Sequence, residues 1–528
     1  MTMASLHIVL PAIILAVMAL VVLLVDAFFP EAFLGIPTQA VAMWLALLGF
    51  VLAGAMAAAQ WGEFSLGDLH AGLSNSELVD PSGALVFDGF TACLCIIFCV
   101  GGVLSVLLSV RYLERVGTGI GEYYSLMLFA TTGAYLMVAA HQLIMVFIGV
   151  EILSVAIYPL AGFLRRDSRS NEASLKYFLL GAFASAFLLY GIALMYGAVG
   201  IHLQTLGLDS ARRTGLGTLR FDAILMFVQS GGAHSALFWA AVALMLVGFC
   251  FKAGLAPFHQ WTPDVYDGAP TPISAYMGSV VKAAAFAPFF RFFLEVMGRE
   301  GGLNNEIAYE RWVLAAAVIA ILTMTWGNLS AVAEPSLKRM LAFSSVAHAG
   351  YIMIALIAEN IPALIYYLLV YTLMVVGSFG CAELLRRRTG EETLQIQEWS
   401  GVGLRYPLLG AAMAVFMFSL AGFPPTAGFM GKMYIFRAAL EMGANGSHHN
   451  GYVLLVVVAL LNSLVSVYYY LRVVVTVYRP IVEAGEETRV EHSRPAEIAI
   501  AICAIGVLIL GIFPQWVIGP VSGVLLGR

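Results

Sequence analysis

Lys252, Lys282 and Lys432 stand in or at the end of apolar runs, where lipid does not tolerate an amine unless it faces protein or water. A cation at the bilayer centre costs at least ~2.5 kcal/mol, so residues of this kind normally have a function. The chain has five lysines, the other two being Lys176 and Lys338, against 22 arginines. Four of the five fall within or at the edge of apolar stretches, while nearly all the arginines read as loop residues. Arginine keeps its charge in practice; a buried lysine can lose its proton. That distribution predicts proton handling, against the simpler alternative of snorkelling or static pairing.

Other ionisable residues join them. Glu151 lies deep in HQLIMVFIGVEILSVAIYPL, where a carboxylate must be neutral or paired, and pairing with a nearby lysine is expected. Lys176 follows Glu172 by four residues, an ordinary helical pair, and is kept as a candidate. His259 follows Lys252 by seven residues, two turns on along roughly the same face, and precedes Lys282. His348 has Ser344 and Ser345 one turn earlier and Tyr351 three residues later, hydroxyls suited to a short water chain. His141 reads as interfacial. Asp264 and Asp267 flank a Pro/Gly-rich turn and read as turn residues, with a role at a cytoplasmic proton entry in reserve.

The elements holding these residues are membrane helices. A 528-residue chain that is 61% hydrophobic and 11% charged, with mean hydropathy +0.90, is a polytopic membrane protein. A net charge of −5 offers no case for nucleic acid as partner. Six cysteines, all in apolar stretches and without metal-type spacing, read as small apolar filler. No cleavable leader pattern precedes the first apolar run, which is expected to remain as a helix. The fold class is all-α, with about fourteen transmembrane helices, the long 406–438 run being a broken one.

Two helices are expected to break, at Pro257 and at Pro424–Pro425, since proline lacks an N–H and clashes one turn back. Ala253-Gly254-Leu255-Ala256-Pro257 is echoed by Ala421-Gly422-Phe423-Pro424-Pro425, five spans later and so in opposite direction. Paired interruptions of this kind point to inverted five-helix repeats. The expected layout is a three-helix segment over 1–121, one repeat over 122–300, its inverted partner over 301–480 and a last helix over 481–528. Loops rich in Lys and Arg follow the odd-numbered spans, which puts both termini outside the cytoplasm. Arg291 is counted among the few cations of the outer loops. Residues 200–234 read as an outer loop.

The segments FKAGLAPFHQWTPDVYDGAPTPISAYMGSVVKAAAF, VFIGVEILSVAIYPLAGFLRRDSRSNEASLKYFLLGAFASAFLLYG, LKRMLAFSSVAHAGYI and AGFPPTAGFMGKMYIF closely resemble the antiporter-like membrane subunits of respiratory complex I. The resemblance runs from about residue 85 to 480; the 200–234 loop and the N-terminal region depart from it. The lysine at 432 and the lack of a long C-terminal extension argue against subunits M and L of that family. The resemblance implies that Glu151 pairs with a lysine, that Lys252 and Lys432 sit on broken helices, and that Lys282 connects them. It matches Lys176 to a sixth-helix lysine position of the family, and His259 and His348 to histidines of its central axis. It implies a proton-translocating subunit of an NADH:quinone oxidoreductase in a prokaryotic plasma membrane. Flavin, iron–sulfur clusters and quinone would lie in partner subunits, with none in this chain. Subunit M, small membrane subunits and lipids would be its neighbours. The competing expectation is a subunit of a multi-subunit cation/proton antiporter.

Overall fold

Long apolar runs with few internal charges satisfy their backbone groups as helices, and helices build nearly all of this chain. The computed structural model describes residues 3–525 apart from 30, 34–35, 72–77, 118–119, 206–218, 299–305, 388–391, 394, 445–448 and 481–487. In chain order the helices are α1 (Met3–Phe28), α2 (Thr38–Ala71), α3 (Gly89–Val116), α4 (Ile120–Ala139), α5 (Leu143–Ala161), α6 (Ser168–Thr205) and α7 (Phe221–Gln229). Then come α8 (Ala236–Ala253), α9 (Trp261–Gly268), α10 (Thr271–Tyr276), α11 (Lys282–Met297), α12 (Glu306–Ala333), α13 (Leu337–Ile357) and α14 (Ile361–Leu384). The last are α15 (Val402–Arg405), α16 (Pro407–Ala421), α17 (Ala427–Ala444), α18 (His449–Tyr478), α19 (Arg494–Ile512) and α20 (Gln515–Leu525). Among the described residues, strand pairing consists of isolated bridges and two- and three-residue ladders, one of which joins Leu385–Arg387 to Thr488–Val490.

Among the described residues, 11 helices are long and apolar enough to cross a membrane. Three of the fourteen expected spans fall outside that group. They are α4, rich in Tyr, Thr and Gly; the eighth, divided into α10, a π-helical turn over Met277–Val281 and α11; and the twelfth, divided into α16 and α17. The segment expected as a loop over 200–234 contains α7; residues 206–218 lie outside the described part.

Helices α13 and α14 are almost wholly enclosed by their neighbours. Helices α6, α12 and α18 turn large apolar side chains outward, among them Phe183, Leu314 and Leu464. An apolar exterior around a polar-threaded interior is the arrangement a bilayer demands.

The two helix breaks share one local geometry. Helix α8 stops at Gly254, left-handed with φ 69°, where Leu255 N–H returns to the Cys250 carbonyl and Gly254 N–H to Phe251. Helix α16 stops at Gly422, φ 89°, with Phe423 N–H returning to Phe418 and Gly422 N–H to Ser419. This is the Schellman helix stop, which needs glycine at the left-handed position. The peptide bonds Ala256–Pro257 and Pro424–Pro425 are both cis. The Ala-Gly echo in the sequence is thus a repeated stop signal.

Candidate functional site

Lys252 lies in the last turn of α8 and is buried. Its Nζ donates to Ser154 Oγ of α5 at 2.8 Å and to Tyr177 Oη of α6 at 3.1 Å. Glu151, one turn before Ser154, is within electrostatic reach of Lys252. It makes no contact ion pair, however, and its buried Oε1 has no hydrogen-bond partner. The expected pairing is an interaction at a distance, with two hydroxyls in direct contact.

The helix stop also moves His259. Residues 254–260 form the turn between α8 and α9, so His259 does not share a helical face with Lys252. Its ring is buried edge-on to Trp326 at 5.3 Å, and its Nδ1 lacks a hydrogen-bond partner. The groups standing between Lys252 and Lys282 are tyrosines. Tyr177 stacks on Trp261 at 4.6 Å, Trp261 packs on Tyr266, and Tyr266 lies beside Ser345.

Lys282 follows the π turn directly and donates to the Ser345 carbonyl at 2.6 Å. Its Nζ is 6.0 Å from the Tyr371 ring centre. Ser345 Oγ and Tyr371 Oη are close together, buried and without a hydrogen bond of standard geometry. One turn along α13, His348 is held from both sides, Nδ1 by Tyr367 Oη at 2.7 Å and Nε2 by Tyr470 Oη at 3.1 Å. Ser344 bonds the same Tyr470 hydroxyl. Beyond His348 the Tyr351 ring leads to Lys432, whose Nζ is 5.0 Å from its centre. Lys432 reaches back over the second break to the Leu420 and Ala421 carbonyls, at 3.0 and 3.2 Å, and to Ser463 Oγ at 3.0 Å. The lysine therefore supplies a cation to the carbonyl end of α16.

Among the described residues, lysine ion pairs are confined to Lys176 and Lys338. Lys252, Lys282 and Lys432 are bonded to neutral oxygens only. Lys176 stands apart from the buried three: its side chain is 40% exposed, and it pairs with Glu172 at 2.7 Å and with Asp264 at 2.8 Å.

Three features escape hydropathy. Arg291, counted with the outer-loop cations, is 4% exposed inside α11 and is bound to Asp88 at 2.7 Å and Glu295 at 3.1 Å. Lys338 is 2% exposed and bonded to the Ala269 carbonyl and Glu392. Glu392 also takes Arg386; burial works to raise its carboxyl, but Lys338 and Arg386 outweigh it and bring the pKa down to about 2. Tyr177, Tyr266 and Tyr371 left no signal either, because tyrosine reads as apolar in a membrane run.

Residues 140–461 match the family described as NADH:quinone oxidoreductase/Mrp antiporter, transmembrane. The chain is 39% identical to NADH-quinone oxidoreductase subunit N of Trichlorobacter lovleyi, covering 97% of this chain and 96% of that one. It is 38% identical to the subunit N of Myxococcus xanthus over 97% and 95%. Among solved structures it superposes on a chain of respiratory complex I from Thermus thermophilus with bound aureothin. That match has TM-score 0.75 and 33% identity, covering 97% of this chain and 99% of that one. A chain of the Mrp complex from Dietzia superposes with TM-score 0.75 at 20% identity, a likeness of fold alone, covering 99% and 97%. With a family match over more than half its length and full-length relatives close to 40% identical, the chain belongs to the NADH-quinone oxidoreductase subunit N family of antiporter-like membrane proteins.

Proposed function

We propose that this chain is a proton-translocating, non-redox membrane subunit of an NADH:quinone oxidoreductase. The observation that carries the reading is the set of three buried lysines bonded to hydroxyls and carbonyls, none in a contact ion pair. Breaking a buried ion pair to move a proton leaves an uncompensated charge and is expensive. An amine held by neutral oxygens changes its charge state without that cost, and the hydroxyls can donate or accept as it does.

The path runs from Lys252 through Tyr177 and Tyr266 to Ser345 and Lys282. It continues through His348, flanked by Tyr367 and Tyr470, to Lys432. Glu151 lies one turn from Ser154, which holds Lys252, so a change in its own pairing shifts the proton along. Lifting one charge across 100 mV takes ~2.3 kcal/mol, and one pKa unit is worth ~1.36 kcal/mol, so modest changes at neighbouring lysines are of the right size. His259, buried at the first break, serves water entry there, and Lys176 shapes the cytoplasmic mouth. The two helix stops belong to inverted repeats over 122–300 and 301–480, between the 1–121 segment and the 481–528 helix. Both termini face outward from a prokaryotic plasma membrane. Electron transfer, with flavin, iron–sulfur clusters and quinone, belongs to partner subunits. Subunit M, small membrane subunits and lipids flank this chain.

The test is Lys252→Met or Lys282→Met in the assembled complex, with proton uptake measured per NADH oxidised. Each is expected to lower that ratio; an unchanged ratio removes this chain from the pumping path. Co-purification separates the cation/proton antiporter reading: peripheral flavin and iron–sulfur subunits support the oxidoreductase, and antiporter subunits alone support its rival.

A further inference from the structure

Asp264 sits on α9, one turn after Trp261, and divides its carboxylate between two distant parts of the chain. Oδ2 accepts from Lys176 of α6 at 2.8 Å, and Oδ1 accepts from Arg339 of α13 at 2.7 Å. Each cation is secured again, Lys176 by Glu172 and Arg339 by Glu334 at 3.2 Å. Asp267, three residues on, repeats the pattern, with Arg169 of α6 at 2.7 Å and Ser336 at 3.2 Å. Lys338 of α13 then takes the Ala269 carbonyl, just past the end of α9, at 2.8 Å. The short helix is tied on one side to α6 and on the other to the start of α13.

The first residue of α9, one turn before Asp264, touches the Lys252 site. The Trp261 indole donates to the Phe251 carbonyl at 2.9 Å, next to Lys252 in the chain. Its ring stacks on Tyr177, which bonds Lys252 and follows Lys176 directly. One end of an eight-residue helix therefore holds the contacts that fix Lys252, and Asp264 fixes that helix between α6 and α13.

We propose that Asp264 is a positioning residue for Lys252. The Lys176–Asp264–Arg339 latch sets the placement of α9, and α9, through Trp261, sets the Tyr177 hydroxyl and the turn that carries the lysine. Because α13 also carries Ser345 and His348, a shift at either end of the latch is felt at the other. The inference rests on the proton-path reading given above.

Burial acts to raise the Asp264 carboxyl, but its hydrogen bonds to Lys176 and Arg339 hold it below the usual carboxylate range. Asp264 is therefore an ionised tether and not a proton acceptor, and Asp264→Asn removes the charge at nearly constant shape. The Lys176 side chain is 40% exposed, so the latch adds little to overall stability, and its loss is expected in coupling before assembly.

The measurement is the number of protons taken up per NADH in the assembled complex, beside the rate of NADH oxidation with an artificial acceptor. Asp264→Asn is expected to lower the proton ratio on the order of twofold or more while the acceptor rate holds, since sites displaced by about 1 Å lose function. Asp264→Glu, which keeps the charge, is expected to restore most of it, and Arg437→Gln, at an exposed pair, to leave it unchanged. An unchanged ratio in Asp264→Asn overturns the proposal. So does a fall of ratio and acceptor rate together in both variants at position 264. Should Asp264→Asn not assemble, Lys176→Gln reads the same latch from its exposed arm, with the same two outcomes. A normal ratio there beside a lowered one in Lys252→Met discards the latch and keeps the path; a normal ratio in Lys252→Met discards the path itself.

Discussion

Two classes of buried lysine are present, and their partners separate them. Lys252, Lys282 and Lys432 touch neutral oxygens, whereas Lys338 is locked to Glu392 and, through it, to Arg386. The second group is structural, and its role has a pH signature. The Glu392 carboxyl lies at about 2 when folded, against an ordinary value of 4.5. A depressed carboxylate contributes stability that is complete above the unfolded value and is lost as pH falls from there through the folded value. Glu392→Gln leaves Lys338 and Arg386 without their shared anion. It is expected to cost about 3 kcal/mol at neutral pH, the low end for a broken buried pair because the Glu392 side chain is 26% exposed. Thermal melts of the solubilised complex should show the full gap to wild type at pH 7, narrowing once pH drops below about 4.5. A gap independent of pH would remove the electrostatic cause. At this scale hydropathy marks Lys252, Lys282 and Lys432, each inside or at the end of an apolar run, but it misses buried Lys338. It does not reveal what they touch: Ser154 and Tyr177, which hold Lys252, come from helices far away in the chain, and no periodicity records that meeting.

The helices themselves were legible because each apolar run must satisfy its own backbone, and the breaks were legible because proline and glycine cannot continue a helix. What the pattern misses is how a break ends. A proline rule predicts a bend, which would keep His259 on the Lys252 face; the Schellman stop at Gly254 instead unwinds residues 254–260 and turns the histidine toward Trp326. The π turn at Met277–Val281, which sets the rotation of Lys282, also lacks a hydropathy signal. Glycine at the stops is testable. At Gly422, φ 89°, an added Cβ would stand 3.2 Å from Lys432 Cδ. Gly422→Ala is therefore expected to destabilise by ~1–2 kcal/mol through the left-handed backbone and to displace the lysine. Gly197→Ala in α6, where a Cβ meets nothing within 4 Å, should be neutral or slightly stabilising. Thermal inactivation and proton uptake of the two variants, measured side by side, distinguish a stop glycine from a merely small residue.

Across the whole molecule, helices remote in sequence are joined by charge where apolar contact alone would let them slide, since lipid is as apolar as leucine. Arg291 of α11 is one such joint, 4% exposed. It donates to Asp88 at the start of α3, to Thr91, to Glu295 and to the Val138 carbonyl of α4. Asp88 has a second duty there, capping α3 by accepting from Thr91 N–H at 2.8 Å. Removing one partner leaves the other charged and buried, so Arg291→Met is expected to cost ~3–5 kcal/mol. Asp88→Asn keeps the cap, because asparagine accepts the same N–H, but weakens the joint. The decisive variant is the double one. With both charges gone the uncompensated anion disappears, and the loss should fall short of the sum of the single losses by ~1–3 kcal/mol. Abundance and thermal inactivation of the assembled complex read all three variants. Strictly additive losses would mean that Arg291 holds α3, α4 and α11 by its packing, with its charge incidental.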